Sequence, residues 1–138
     1  MQTFLPYPDF ADSAACLDRL RLGKQRVEVL QLLKALLLPG AGWSNHPACK
    51  MWIGHSVGLA TYGLVICDEW ISRGYVDTCQ AKIGELVPTV DPHDLPSWFG
   101  DSDFHSAHRS NLLRKFPDHY GQFGWKEPND LPYIWPTS

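Results

Sequence analysis

The chain has 138 residues, 44% of them apolar and 20% charged, with a formal net charge of −3 and a pI near 6.0. That length suits one domain, residues 1–138, around a single core, and no run approaches the ~20 apolar residues of a membrane span. The acidic balance excludes nucleic-acid binding through bulk charge, so any such contact has to come from locally clustered cations. The opening MQTFLPYPDF lacks the basic and apolar regions of a signal peptide. Cys16, Cys49, Cys67 and Cys79 form no CxxC pair, and most lie in apolar helical context. Buried thiols in a cytoplasmic protein are therefore expected.

A proline-marked arm precedes a helix that the sequence predicts from Asp12 or Ser13 to about Leu38. Leu17, Leu20, Val27, Leu30 and Leu37 supply its helical apolar spacing. After PGAG, Ser44 or Asn45 is a candidate cap for a short helix with Pro47 in its first turn. Gly54 and Gly58 separate it from a longer helix through Leu59, Tyr62, Ile66 and Trp70, which closes at Arg73 and Gly74. Asp77 caps a short helix through Ile83, and Pro88, Pro92 and Pro96 then enforce an irregular connection. A third strong helix is expected from about His105 to Phe116, capped by Ser102 or Asp103, followed by an aromatic, proline-rich tail. The fold class expected is all-α: a compact single domain with three principal helices.

Three clusters carry candidate chemistry. In RLRLGKQRVE, Arg19, Gly23 and Arg26 fall on one helical stripe, two guanidinium forks flanking bare backbone that a phosphodiester can approach. A second stripe holds Asp18, Arg21, Gln25 and Glu28. The alternative is a solvated face whose glycine admits a neighbouring helix. In NHPACKMW, Asn45, His46 and Lys50 are candidate polar contacts and Trp52 a flat face for a base, unless Trp52 belongs to the core. In FHSAHRSNLLRK, His105, His108 and Arg109 form a second candidate phosphate surface, which Arg114 and Lys115 extend. Two histidines three residues apart without a third ligand give no metal site, and no cofactor motif is present.

The blocks TFLPYPDF, LDRLRLGKQRVE, WSNHPACKMW, YGLVICDEWISRGY and FHSAHRSNLLRKFPDHYGQFGW, in that order, resemble the pyrimidine dimer DNA glycosylase family of the phage endonuclease V type, in its divergent bacterial and actinophage branch. The resemblance implies a three-helix domain that binds damaged DNA and flips a base. It also implies a terminal amine that attacks the sugar C1′ and forms a Schiff base permitting β-elimination, assisted by a glutamate on the first long helix. An α-amine titrates near pH 8 in general, so part of it is nucleophilic at neutral pH. Gln2 stands where the family has a small residue exposed by methionine removal, which leaves Met1 as the candidate amine, with Lys24 as the alternative. Aligned on Arg26-Val27, Gly23 occupies the place of the family's glutamate. Glu28, beside Arg21, Lys24 and Gln25, is the carboxylate carried over; Glu69 is a substitute or simply a partner of Arg73. Two functions follow as expectations. One is a glycosylase or abasic-site lyase acting on damaged or modified DNA. The other is a binder of a nucleotide, modified base or nucleotide-like ligand on the same scaffold. Trp98, Trp125, Tyr133 and Trp135 remain candidate protein contacts, and the oligomeric state is left open.

Overall fold

The computed structural model describes residues 1–38, 40 and 45–136. Among them are seven α-helices, a closing 3-10 turn over Gly121–Phe123 and no strand. The expected all-α class is what is observed, and the three longest helices are α2 (Arg19–Leu37), α4 (Ser56–Ser72) and α6 (Ser102–Lys115). Shorter helices fill the intervals: α1 (Phe10–Cys16), α3 (Pro47–Lys50), α5 (Cys79–Leu86) and α7 (Pro117–Tyr120). No helix among the described residues is long and apolar enough to cross a membrane.

The single first helix expected from sequence is in fact two. Leu17 and Asp18 are extended, α1 begins two residues before Asp12 under an Asp9 cap, and Asp18 caps α2. The break is held from a distance: the Tyr120 hydroxyl accepts from the Asp18 N–H and donates to its carboxylate, which Arg21 also pairs at 3.1 Å. Burial alone would raise the Asp18 carboxyl, but the Tyr120 and Arg21 hydrogen bonds hold it below the usual carboxylate range. This interruption resets the helical phase. Leu17 and Leu30 remain in the core, whereas Leu20, Val27 and Leu37 are exposed; Leu22, Val29, Leu32 and Leu33 take the inward face instead.

α2 and α4 pack against each other with Gly63 against Val29 and Gly23 beneath the Trp70 ring. A Cβ on Gly23 would stand 2.9 Å from that ring, so this glycine serves helix packing rather than approach of a phosphate. The α3 cap is His46, whose Nδ1 accepts from the Ala48 N–H at 3.0 Å, and not Asn45, which is exposed. Ser44 lies outside the described residues. α6 begins three residues earlier than expected, under Asp101. Arg73 and Gly74 close α4 as the sequence indicates, and Asp77 accepts from the first N–H groups of α5. All four cysteines are free and buried; burial pushes the Cys16 thiol up to about 12, which makes it inert at neutral pH.

Candidate functional site

The N-terminal arm is an irregular segment whose backbone polar groups are taken by side chains. Gln25 accepts from the Phe4 N–H at 2.9 Å and donates to the Gln2 carbonyl at 2.6 Å, while the Tyr62 hydroxyl donates to the Phe4 carbonyl. Trp52 donates its indole N–H to the Thr3 hydroxyl at 3.1 Å. His105 and His108 grip the two sides of Leu5. His108 Nδ1 accepts from its N–H at 2.9 Å, and His105 Nδ1 meets its carbonyl at 2.7 Å. Because His105 Nε2 accepts from Gly100 N–H, His105 carries its proton on Nδ1, and His108 carries its own on Nε2. Arg109 finishes the clamp by donating to the Pro6 carbonyl at 2.7 Å while pairing with Glu127 of the tail.

This arrangement corrects the third cluster. His105, His108 and Arg109 form no phosphate surface: the histidines are buried and Arg109 is committed to the arm and tail. Trp52 is likewise a core residue, fully buried between Tyr62 and Trp98, and offers no face to a base. Arg26 is also reassigned. Its guanidinium lies 4.4 Å from the centre of the Trp70 ring and 2.5 Å from the Asp77 carboxylate, on the packing side of α2 with Gly23. Arg19 and Asn45 are exposed and do not line the cleft described next, and Lys50 lines a separate hollow with His55 and Pro136. Among the described residues no group of three or more metal-ligating side chains comes together.

The neutral clamp has a pH signature. Burial, with the neighbouring His105 adding to it, pulls His108 down to about 3, and burial also lowers His105. An unfolded chain takes up each proton near pH 6.5, the folded chain only further down. The stabilisation is therefore complete above about pH 6.5 and fades as pH falls toward 3, by up to ~1.4 kcal/mol per pH unit for each ring. Urea unfolding is expected to lose about 2 kcal/mol from His108 between pH 6.5 and 5. A stability flat over that interval would mean the clamp does not hold His108 neutral.

Where the arm reaches its end, a cleft of about 380 Å³ opens. The arm contributes Met1, Gln2 and Phe4; α2 contributes Leu20, Arg21, Lys24, Gln25 and Glu28; Lys115 from the end of α6 and Tyr133 from the tail close it. Glu28 lies at its floor, 9% exposed, and both carboxylate oxygens are engaged. Oε2 accepts from the Gln2 backbone N–H at 3.2 Å, and Oε1 lies 3.7 Å from Lys24 Nζ. Met1, Arg21, Lys24 and Lys115 thus line the same cleft as this buried carboxylate. Lys115 feels this crowding, since burial first, then Arg21, Arg114 and Lys24, lower its affinity for a proton. Local charge is therefore positive although the chain as a whole is negative. His46 lies close enough to the amino terminus for its charge to add to burial in depressing the imidazole.

The structure brings Met1, Arg21, Lys24, Gln25 and Glu28 together and leaves the other predicted contacts outside the cleft. Gln2, Phe4, Lys115 and Tyr133 were not assigned to it from sequence. Only the basic end of α6 hinted at Lys115, and the long loop back to Tyr133 carries no local signal. Glu69 pairs with Arg73 at 2.8 Å and so is a structural partner. The family model described as pyrimidine dimer DNA glycosylase matches residues 1–83, that is 83 of the 138 residues, and these include the arm and the α2 side of the cleft. No match was found among curated proteins or solved structures.

Proposed function

Because the chain belongs to the pyrimidine dimer DNA glycosylase family, we propose that the cleft excises a damaged base and opens the resulting abasic site through an amine Schiff base. The observation that carries this reading is the hydrogen bond of the Gln2 N–H to Glu28 in a cationic cleft that Met1 also lines. Met1 lines the same cleft and the nitrogen of Gln2 is 3.2 Å from the carboxylate. In this reading the terminal amine is that of Met1, acting in the cleft that holds Glu28.

The chemistry follows from these groups. The free amine attacks C1′ and the glycosidic bond breaks, with the base leaving with its electron pair and taking up a proton. Ring opening then gives a protonated imine between the terminus and C1′. Loss of a C2′ proton expels the 3′ phosphate, and water hydrolyses the imine to free the protein. Glu28 accepts the proton released by the attacking amine and steadies the cationic sugar. Arg21, Lys24 and Lys115 hold the flanking phosphates. Gln25 and Tyr62 act through the arm, fixing where the amine lies.

Borohydride trapping of the full chain on abasic and ultraviolet-irradiated duplexes tests the proposal, with the terminal residue identified by mass spectrometry. A covalent adduct mapped to the terminal residue is expected. An adduct on Lys24 would transfer the nucleophile's role to that side chain. No adduct, together with saturable binding of a mononucleotide that depends only weakly on salt, would replace this reading with the small-ligand one; duplex binding should instead weaken steeply as salt rises.

A further inference from the structure

Leu20 departs furthest from where its sequence pattern puts it. The apolar spacing of the first long helix predicts a core residue, yet Leu20 is 67% exposed. It is the second residue of α2, between Arg19 and Arg21, one helical turn before Lys24, and it borders the cleft. Among the described cleft residues three are exposed: Lys24 and Lys115, which are cations, and Leu20. Most of this large apolar side chain stands in water among cations. Local rules that fail in this way tend to mark functional positions.

Its support is rigid. The helix start beneath Leu20 is capped by Asp18, which is held by the Tyr120 hydroxyl on its N–H and by Arg21 on its carboxylate. A leucine so mounted cannot fold back onto the core without breaking that cap. Drawing a nucleotide out of a duplex leaves an unstacked gap, and apolar side chains relieve that cost by entering the stack. Resting on the reading of the cleft as a DNA site, we propose that Leu20 is a wedge that enters the base stack while the reacting nucleotide occupies the cleft. Arg21, Lys24 and Lys115 bind the phosphates on its flanks, so the wedge and the electrostatic contacts act on the same few nucleotides.

The test uses the full chain and two probes. The first is a duplex holding an uncleavable tetrahydrofuran abasic analogue with 2-aminopurine as its neighbour. The second pair is a natural abasic site in duplex and in single-stranded oligonucleotides. Wild type is expected to raise 2-aminopurine fluorescence on binding. Leu20→Ala should bind without that rise, and its kcat/KM should fall about tenfold further on the duplex than on the single strand, which is already unstacked. Leu20→Met should restore both readouts. Unchanged fluorescence and an unchanged duplex to single-strand ratio in Leu20→Ala would overturn the wedge. A wild type that unstacks the duplex but cuts neither oligonucleotide would remove the amine chemistry and leave the wedge standing. Failure of the wild type to bind the duplex would overturn both.

Discussion

Glu28→Gln is expected to leave folding and duplex binding intact while the borohydride-trapped adduct forms roughly 10²–10³-fold more slowly, the range for loss of one general base or electrostatic stabiliser. The substitution is nearly isosteric. The Gln side-chain oxygen still accepts from the Gln2 N–H, so the end of the arm keeps its anchor. What disappears is the negative charge in a cleft that Met1, Arg21 and Lys24 line. The pair with Lys24 adds little stability to lose, because the lysine side chain is 77% exposed and the separation is 3.7 Å. The melting temperature should therefore stay close to that of wild type, and the rate loss should reside in the chemical step rather than in affinity. Glu28→Asp discriminates further, since it keeps the charge but withdraws it from Gln2 and should recover part of the rate. Trapping of Glu28→Gln at the wild-type rate would remove Glu28 from the mechanism.

The same residue shows how much of the site was legible beforehand. Glu28 was identifiable because a helix places Arg21, Lys24, Gln25 and Glu28 near one another, so four members of the cleft share one local pattern. The cleft's remaining walls depend on contacts more than a hundred residues apart, such as Leu5 with His108 or Asp18 with Tyr120, and no periodicity encodes those. The cations were the least legible feature. Arg26 and Arg109 resemble phosphate ligands in a string of letters, yet one is sandwiched by Trp70 and Asp77 and the other fastens arm to tail. An arginine's role depends on whether a buried carboxylate reaches it first. Helix existence was legible from apolar spacing; helix phase was not, because the break at Leu17 and Asp18 is fixed by a tyrosine a hundred residues away.

Gly58→Ala is expected to cost about 3 kcal/mol, combining steric overlap with loss of a helix cap. Gly58 lies in the first turn of α4 with the loop after α5 pressed onto it. Asp94 of that loop caps the helix from outside: one carboxylate oxygen accepts from the Gly58 N–H at 2.8 Å and the other lies 2.8 Å from His55 Nδ1. The Asp94 backbone comes so close that a Cβ on Gly58 would stand 1.9 Å from its carbonyl oxygen. Backbone cannot swing aside as the end of a flexible side chain does, so the loop must lift and the cap opens with it. Thr61, whose hydroxyl donates to the Val57 carbonyl and accepts from the Asp91 N–H one turn further on, loses the Asp91 contact in the same movement. For a chain of this size the loss corresponds to a fall of roughly 10 °C in melting temperature. Gly84→Ala is the matched control, because Gly84 lies inside α5 with nothing within 4 Å of its added Cβ. That change should stabilise by about 0.5–1 kcal/mol through helix propensity alone. Thermal unfolding of the two variants beside wild type should move in opposite directions. A Gly58→Ala protein melting within 2 °C of wild type, a margin of roughly 0.5 kcal/mol, would show that the loop does not bear on α4 as described.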